Sequence, residues 1–226
     1  MPSSLQRGLI VSCQAEEHSF FDTPEFIAAF AKAAELGGAV GVRIRGAENI
    51  RAVRKAVQLP IIGITKATYL NDEVLITGAL DDVEILTNAG ADLVALDATK
   101  RVRPNGLDGP AMVAEVKRRF SISLVADIAT LDEGIAAASA GADFVGTTLS
   151  GYTEYTKKIR LDVPDFELIE KLAKKLPEKV IAEGRFWTPE QVAYALRMGA
   201  FAVVVGTAIT RPIEIVKRFV NATKIT

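Results

Sequence analysis

Lys66 comes directly after Ile61-Ile62-Gly63-Ile64-Thr65, and Glu183 directly after Val180-Ile181-Ala182. An amine and a carboxyl that each close a short apolar run are suited to passing a proton to or from a carbon atom. A lysine beside apolar side chains loses hydration, which lowers its pKa towards a working base or a Schiff-base amine. The plain alternative is a surface lysine with only its stem buried. A carboxylate at a buried position needs a partner. Glu183 is then either a proton donor or acceptor opposite Lys66, or half of a structural salt bridge with Arg185 or Arg43.

Other polar residues close similar runs: Gln14, Arg43, Asp97, Asp127 and Thr147. Arg43 suits an anion or a carbonyl oxygen, although Arg45 shares its parity. Gln14 suits an amide or a hydroxyl. Each aspartate could orient Lys66, bind hydroxyls or cap the next helix. Two glycine turns, Gly184-Arg185 and Gly206-Thr207-Ala208, would let backbone N–H groups approach an anion closely, and Arg211 could add charge. Gly151-Tyr152-Thr153 offers hydroxyls to a sugar, or is a simple turn. His18 is the only histidine, and no Cys/His/Asp grouping has metal-ligand spacing. Cys13 reads as a small buried filler beside Gln14.

The elements that must position these residues follow from a repeat. A Gly-Ala pair opens an apolar run at Gly38, Gly90, Gly141 and Gly199, at intervals of roughly fifty residues. Each interval is about twice a strand–helix unit. Four double units make eight, and eight parallel strands with eight helices close into a (β/α)8 TIM barrel, whose chemistry lies at the rim where the strands end. Strands are expected at Gly8–Cys13, Val40–Ile44, Ile61–Ile64, Leu93–Leu96, Ser123–Ala126, Phe144–Thr147, Lys179–Ala182 and Ala202–Val205. Most are apolar throughout, as strands covered on both faces must be. Amphipathic stretches such as Phe26–Glu35, Asp81–Asn88, Met112–Arg119, Leu131–Ala140, Phe166–Lys175, Glu190–Met198 and Ile213–Asn221 supply helices. Long rim loops are expected at Lys66–Thr77 and Ala98–Gly109. The third and seventh strands lie half a ring apart, so Lys66 and Glu183 should face each other across the mouth.

Bulk properties narrow the function classes. The 226 residues suit one domain, 1–226, of an α/β class, with 49% hydrophobic residues to fill it. A net charge of −1 makes no electrostatic case for nucleic acid or an anionic membrane. No apolar run approaches the roughly 20 residues that span a bilayer. A single cysteine fits a reducing, cytoplasmic setting, and Met1 to Arg7 lacks a secretion-signal pattern.

Taken together, the rim segments resemble the N-acylglucosamine-6-phosphate 2-epimerase family, also called the N-acetylmannosamine-6-phosphate epimerases. The matching stretches are Gly8–Ala15, Gly41-Val42-Arg43, Lys66 with Tyr69, Asp97-Ala98-Thr99, Ala126-Asp127-Ile128, Gly146–Thr153, Ala182–Arg185 with Thr188-Pro189-Glu190, and Val203–Pro212. The loop Ala67–Gly78 departs from the family's pattern. The resemblance implies a barrel without metal or cofactor, and a homodimer. It also implies an isomerase interconverting N-acetylmannosamine 6-phosphate and N-acetylglucosamine 6-phosphate in sialic-acid breakdown. Residue by residue, it implies Lys66 and Glu183 as the catalytic pair and Gln14, Arg43, Asp127 and Tyr152 around the substrate. The strand end adds Thr147 to that shell. Gly184, Arg185, Gly206, Thr207 and Arg211 are expected around the phosphate. Two alternatives use the same residues: a Schiff-base sugar-phosphate lyase or aldolase acting through Lys66, and a non-catalytic barrel that binds a sugar phosphate.

Overall fold

In the computed structural model, residues 5–68, 74–103, 105–157 and 162–224 are described. Eight parallel strands close on themselves: β1 (Gly8–Cys13), β2 (Gly41–Arg45), β3 (Ile61–Ile64), β4 (Leu93–Asp97), β5 (Ser123–Asp127), β6 (Phe144–Gly146), β7 (Val180–Glu183) and β8 (Ala202–Val205). Each pairs with its sequence neighbours, and β1 closes the ring against β8 with Ile10 opposite Val204. The helices α1 (Pro24–Leu36), α2 (Ala47–Ala56), α3 (Leu80–Ala89), α4 (Gly109–Arg119), α5 (Leu131–Ser139), α6 (Phe166–Lys175), α7 (Pro189–Arg197) and α8 (Pro212–Ala222) alternate with them, and a one-turn helix, Thr207–Thr210, precedes α8.

Local chemistry fixes these boundaries. Thr23, Asp108, Thr130, Asp165 and Thr188 each cap a helix by accepting a hydrogen bond from the backbone amide three residues on. Proline stands in the first turn of α1, α4, α7 and α8, where no intrahelical N–H is lost.

Side chains alternate along each strand, and the two faces feed separate cores. Ile10, Ile62, Ile64, Val125, Ile181 and Val204 fill the barrel interior. Val11, Val42, Ile44, Val94, Leu96 and Val145 pack outward against helix residues such as Ile27, Ile50 and Leu86. The inward series continues past the apolar layer to the rim. One step beyond Ile64, Val125, Ile181 and Val204 stand Lys66, Asp127, Glu183 and Gly206.

Two elements differ from the sequence expectation. Helix α2 was not among the expected helices. The segment after β3, expected as a loop, holds a short antiparallel hairpin in which Lys66–Thr68 pairs with Val74–Ile76, so that Lys66 lies opposite Ile76. Tyr69, one of the residues carrying the family resemblance, lies outside the described residues.

Candidate active site

A cavity of about 670 Å³ occupies the mouth of the barrel at the strand C-termini, a size that suits a small phosphorylated ligand. Lys66 and Glu183 both line it, together with Gln14, Arg43, Tyr152 and Trp187. The amine and the carboxyl named from sequence therefore share one chamber, on strands half a circuit apart.

The floor is an ionic cluster. Arg43 is almost fully buried and donates from both terminal nitrogens to Asp127, at 3.1 Å to Oδ1 and 2.6 Å to Oδ2. The same Nη1 lies 3.0 Å from Glu183 Oε2. Burial opposes the guanidinium's charge, but Asp127 and Glu183 more than offset it and hold Arg43 firmly protonated. Glu183 is pushed above the usual carboxylate range, first by burial and then by the neighbouring Asp127 charge, with Arg43 pulling the other way. One cation thus serves two carboxyl groups.

Lys66 Nζ donates to Gln14 Oε1 at 3.3 Å, and the Gln14 amide donates to Ser12 Oγ at 2.7 Å. Its amine is pushed below the usual lysine range by the surrounding rim and then by Arg43, Arg211 and Arg45, while Glu183 acts in the opposite sense. The side chain still reaches solvent through the open mouth, so the contribution of burial is partial. Arg45 is separated from Arg43 by its partners: it turns to Glu17 and Asp22 on the loop after β1.

Gly184, Arg185, Gly206, Thr207 and Arg211, which follow β7 and β8, line one side of the cavity. Gly184 and Arg185 both adopt positive φ, 114° and 64°, which turns the chain sharply after Glu183. The Arg185 guanidinium is engaged with main chain: Nε donates to Val163 O at 2.7 Å and Nη1 to Ser150 O at 2.6 Å. It ties the loop after β6 to the loop after β7.

Three residues stand apart from their expected places. Thr147 does not line the cavity. It is buried and bonds the β7 backbone, donating to Glu183 O at 2.9 Å and accepting from Glu183 N at 3.0 Å. Asp127 is wholly buried and reaches the cavity only through Arg43 and Thr148. Asp97 accepts from the Thr99 amide and hydroxyl and pairs with Arg101, organising the loop after β4. Thr148 and Trp187, not named from sequence, do line the cavity. Strand alternation marks Thr148: Phe144, Gly146 and Thr148 share one face, and Thr147 the other. Cys13 is buried, and its thiol is pushed up to about 12 by desolvation. Among the described residues, no group of three or more His, Cys, Asp or Glu is placed to hold a metal ion, and no helix is long and apolar enough to cross a membrane.

Residues 27–225 match the model of the family NanE, "Putative N-acetylmannosamine-6-phosphate epimerase". The chain belongs to this family. Relatives described as "Putative N-acetylmannosamine-6-phosphate 2-epimerase" include one from Caldanaerobacter subterraneus subsp. tengcongensis, 50% identical over 221 residues, covering 97% of this chain and 92% of the relative. Another, from Clostridioides difficile, is 45% identical over 225 residues, covering 100% of both. The solved structure of the N-acetylmannosamine-6-phosphate 2-epimerase from Clostridium perfringens superposes with a TM-score of 0.89 at 42% identity, covering 96% of this chain and 94% of that one. In this N-acetylmannosamine-6-phosphate epimerase family member, a lysine and a glutamate with opposite pKa shifts line one mouth.

Proposed function

We propose that this chain interconverts N-acetylmannosamine 6-phosphate and N-acetylglucosamine 6-phosphate by moving the proton at C2. The supporting observation is that Lys66, lowered, and Glu183, raised, open into the same cavity from opposing strands. In the open-chain sugar, C2 stands next to the C1 aldehyde, which acidifies its hydrogen. Lys66 as a neutral amine takes that hydrogen from one face. The enediolate that forms is stabilised by donors at the cavity floor, which Arg43 lines. Glu183 as a neutral acid returns a proton to the opposite face, and the configuration inverts. The reverse reaction exchanges the two roles.

The phosphate does not react. Backbone groups of Gly184, Gly206 and Thr207, with the charge of Arg211, are proposed to hold it, and the energy of that grip orients C2. Arg185 contributes through its backbone turn, since its side chain is engaged with Ser150 and Val163. Gln14 and Tyr152 are proposed to contact the sugar. A homodimer in the cytoplasm completes the proposal. Helix α8 supports the second copy: it has no buried residue and exposes Val216, Phe219 and Val220.

Proton NMR of N-acetylmannosamine 6-phosphate with the protein in heavy water tests the reaction. The expected result is loss of the C2 proton signal and appearance of the gluco isomer without any added cofactor. Product formation with the C2 hydrogen fully retained would overturn direct proton transfer. A sugar adduct on Lys66 trapped by borohydride would favour Schiff-base chemistry instead.

A further inference from the structure

Thr148 completes a closed ring of contacts on the cavity floor. Its Oγ1 lies 2.7 Å from Asp127 Oδ1 and 3.1 Å from Glu183 Oε2. Arg43 Nη1 lies 3.1 Å from that same aspartate oxygen and 3.0 Å from that same glutamate oxygen. Two carboxyl oxygens therefore alternate with one guanidinium nitrogen and one hydroxyl. Room for this ring depends on Gly146, where a Cβ would stand 2.7 Å from Asp127 Oδ1 and 3.2 Å from Thr148 Oγ1.

Counting hydrogens decides what the ring can be. A hydroxyl has one hydrogen to donate and lone pairs with which to accept. Thr148 can donate to only one of the two oxygens it touches. If both carboxyls were ionised, its lone pairs would face a bare carboxylate oxygen at the other contact. Arg43 Nη1 carries two hydrogens and can donate one to each carboxyl oxygen, but neither enters the contacts that Thr148 makes. A single proton on Glu183 satisfies every contact: Glu183 donates to Thr148, and Thr148 donates to Asp127 over the shorter distance. The charged groups that face Glu183 are Arg43 from β2, Lys66 after β3 and Asp127 from β5.

Building on Glu183 as the proton donor, we propose that Thr148 is a positioning residue whose hydroxyl turns with the proton on Glu183. While Glu183 is an acid, Thr148 accepts from Oε2 and donates to Asp127. When Glu183 gives its proton to C2, its O–H bond breaks and the C–H bond forms. The Thr148 hydroxyl then rotates and donates to the new carboxylate. Asp127 keeps both bonds from Arg43. No bond within Thr148 breaks, and one hydroxyl holds Glu183 in a single place through both halves of the cycle.

The test combines kinetics with infrared titration of the Glu183 carboxyl, its band identified by loss in Glu183→Gln. In the wild type, a carboxylic-acid band is expected at neutral pH. Thr148→Val removes the hydroxyl, and a carboxylate loses more from a missing donor than an acid loses from a missing acceptor. The band's titration midpoint should therefore move to higher pH. kcat should fall about ten- to a hundredfold with KM little changed. Thr148→Ser should restore both. An unmoved midpoint with unchanged kcat in Thr148→Val, or a serine variant that fails to recover, overturns the proposal. If Thr148→Val does not fold, the wild-type band decides: a protonated Glu183 at neutral pH supports the ring, and its absence overturns it. Full C2 exchange in Glu183→Gln would instead remove the underlying role of Glu183, whatever Thr148 does.

Discussion

At the scale of single residues, the proposed chemistry depends on two groups moved away from their ordinary protonation. Free lysine and glutamate titrate near 10.4 and 4.3, and the mouth lowers the first and raises the second. A neutral amine together with a neutral acid is populated most between their two pKa values. The profile of kcat/KM against pH should therefore be a bell with both limbs drawn inward, the acid limb above the ordinary glutamate value and the alkaline limb below the ordinary lysine value. Limbs at the unperturbed positions would contradict it. Lys66→Ala should abolish deuterium uptake at C2, a loss on the order of 10²–10⁴-fold for one acid–base group. Binding of the sugar phosphate, measured by calorimetry, should stay near wild type. The roles of Lys66 and Glu183 were suggested by position after apolar runs, and that signal was physical: a polar side chain following the buried inward series must stand at the rim. Of the partners of Arg43, Glu183 was named as an alternative from sequence, whereas Asp127 was not legible. Asp127 is 84 residues away in sequence, and no local pattern encodes a contact across the barrel. Arg185 looked like an anion ligand because it follows a glycine. Only the path of the loop after β6 shows its guanidinium meeting carbonyl oxygens instead.

At the scale of elements, the strands were readable because both faces of a parallel strand are buried and only short apolar runs satisfy that. Helix α2 carries the amphipathic pattern, burying Ile50 and Val53, but it starts after Gly46 without a side-chain cap, so its start signal was missing. The hairpin was hidden for a different reason: Lys66 and Thr68 are exposed around half-buried Ala67, and a three-residue strand with that pattern resembles a polar loop. The assignment of Thr147 in place of Thr148 came from ending β6 one residue late. Two substitutions separate positioning from stability. Gly146→Ala drives a methyl group against Asp127 Oδ1 and should cut kcat at least tenfold, with the far-ultraviolet circular dichroism spectrum retained. Thr130→Ala removes the α5 cap, whose hydroxyl accepts from the Glu133 amide at 3.4 Å. It should cost about 1 kcal/mol in chemical denaturation.

At the scale of the whole molecule, the repeat of Gly-Ala pairs was enough to indicate closure, because eight strand–helix units have no unpaired edge only when the last strand meets the first. The register of β1 on β8 supplies that closure. Helix α8, with no buried residue, is the exception to the pattern of burial. With Val216, Phe219 and Val220 exposed on α8, light scattering should report a mass near twice 24.2 kDa, and Val216→Glu with Phe219→Glu should halve it. A monomeric wild type would overturn the homodimer. Lys66 and Glu183 hang from opposite points of one hoop, so no single connection governs the gap proposed to take the sugar carbon. That gap is a diameter, set by the girth of the apolar plug beneath. Trimming Ile62 or Ile181, neither of which bears a polar atom in its side chain, should thus detune proton delivery from below, as slackening a drum shell alters its note without touching the skin.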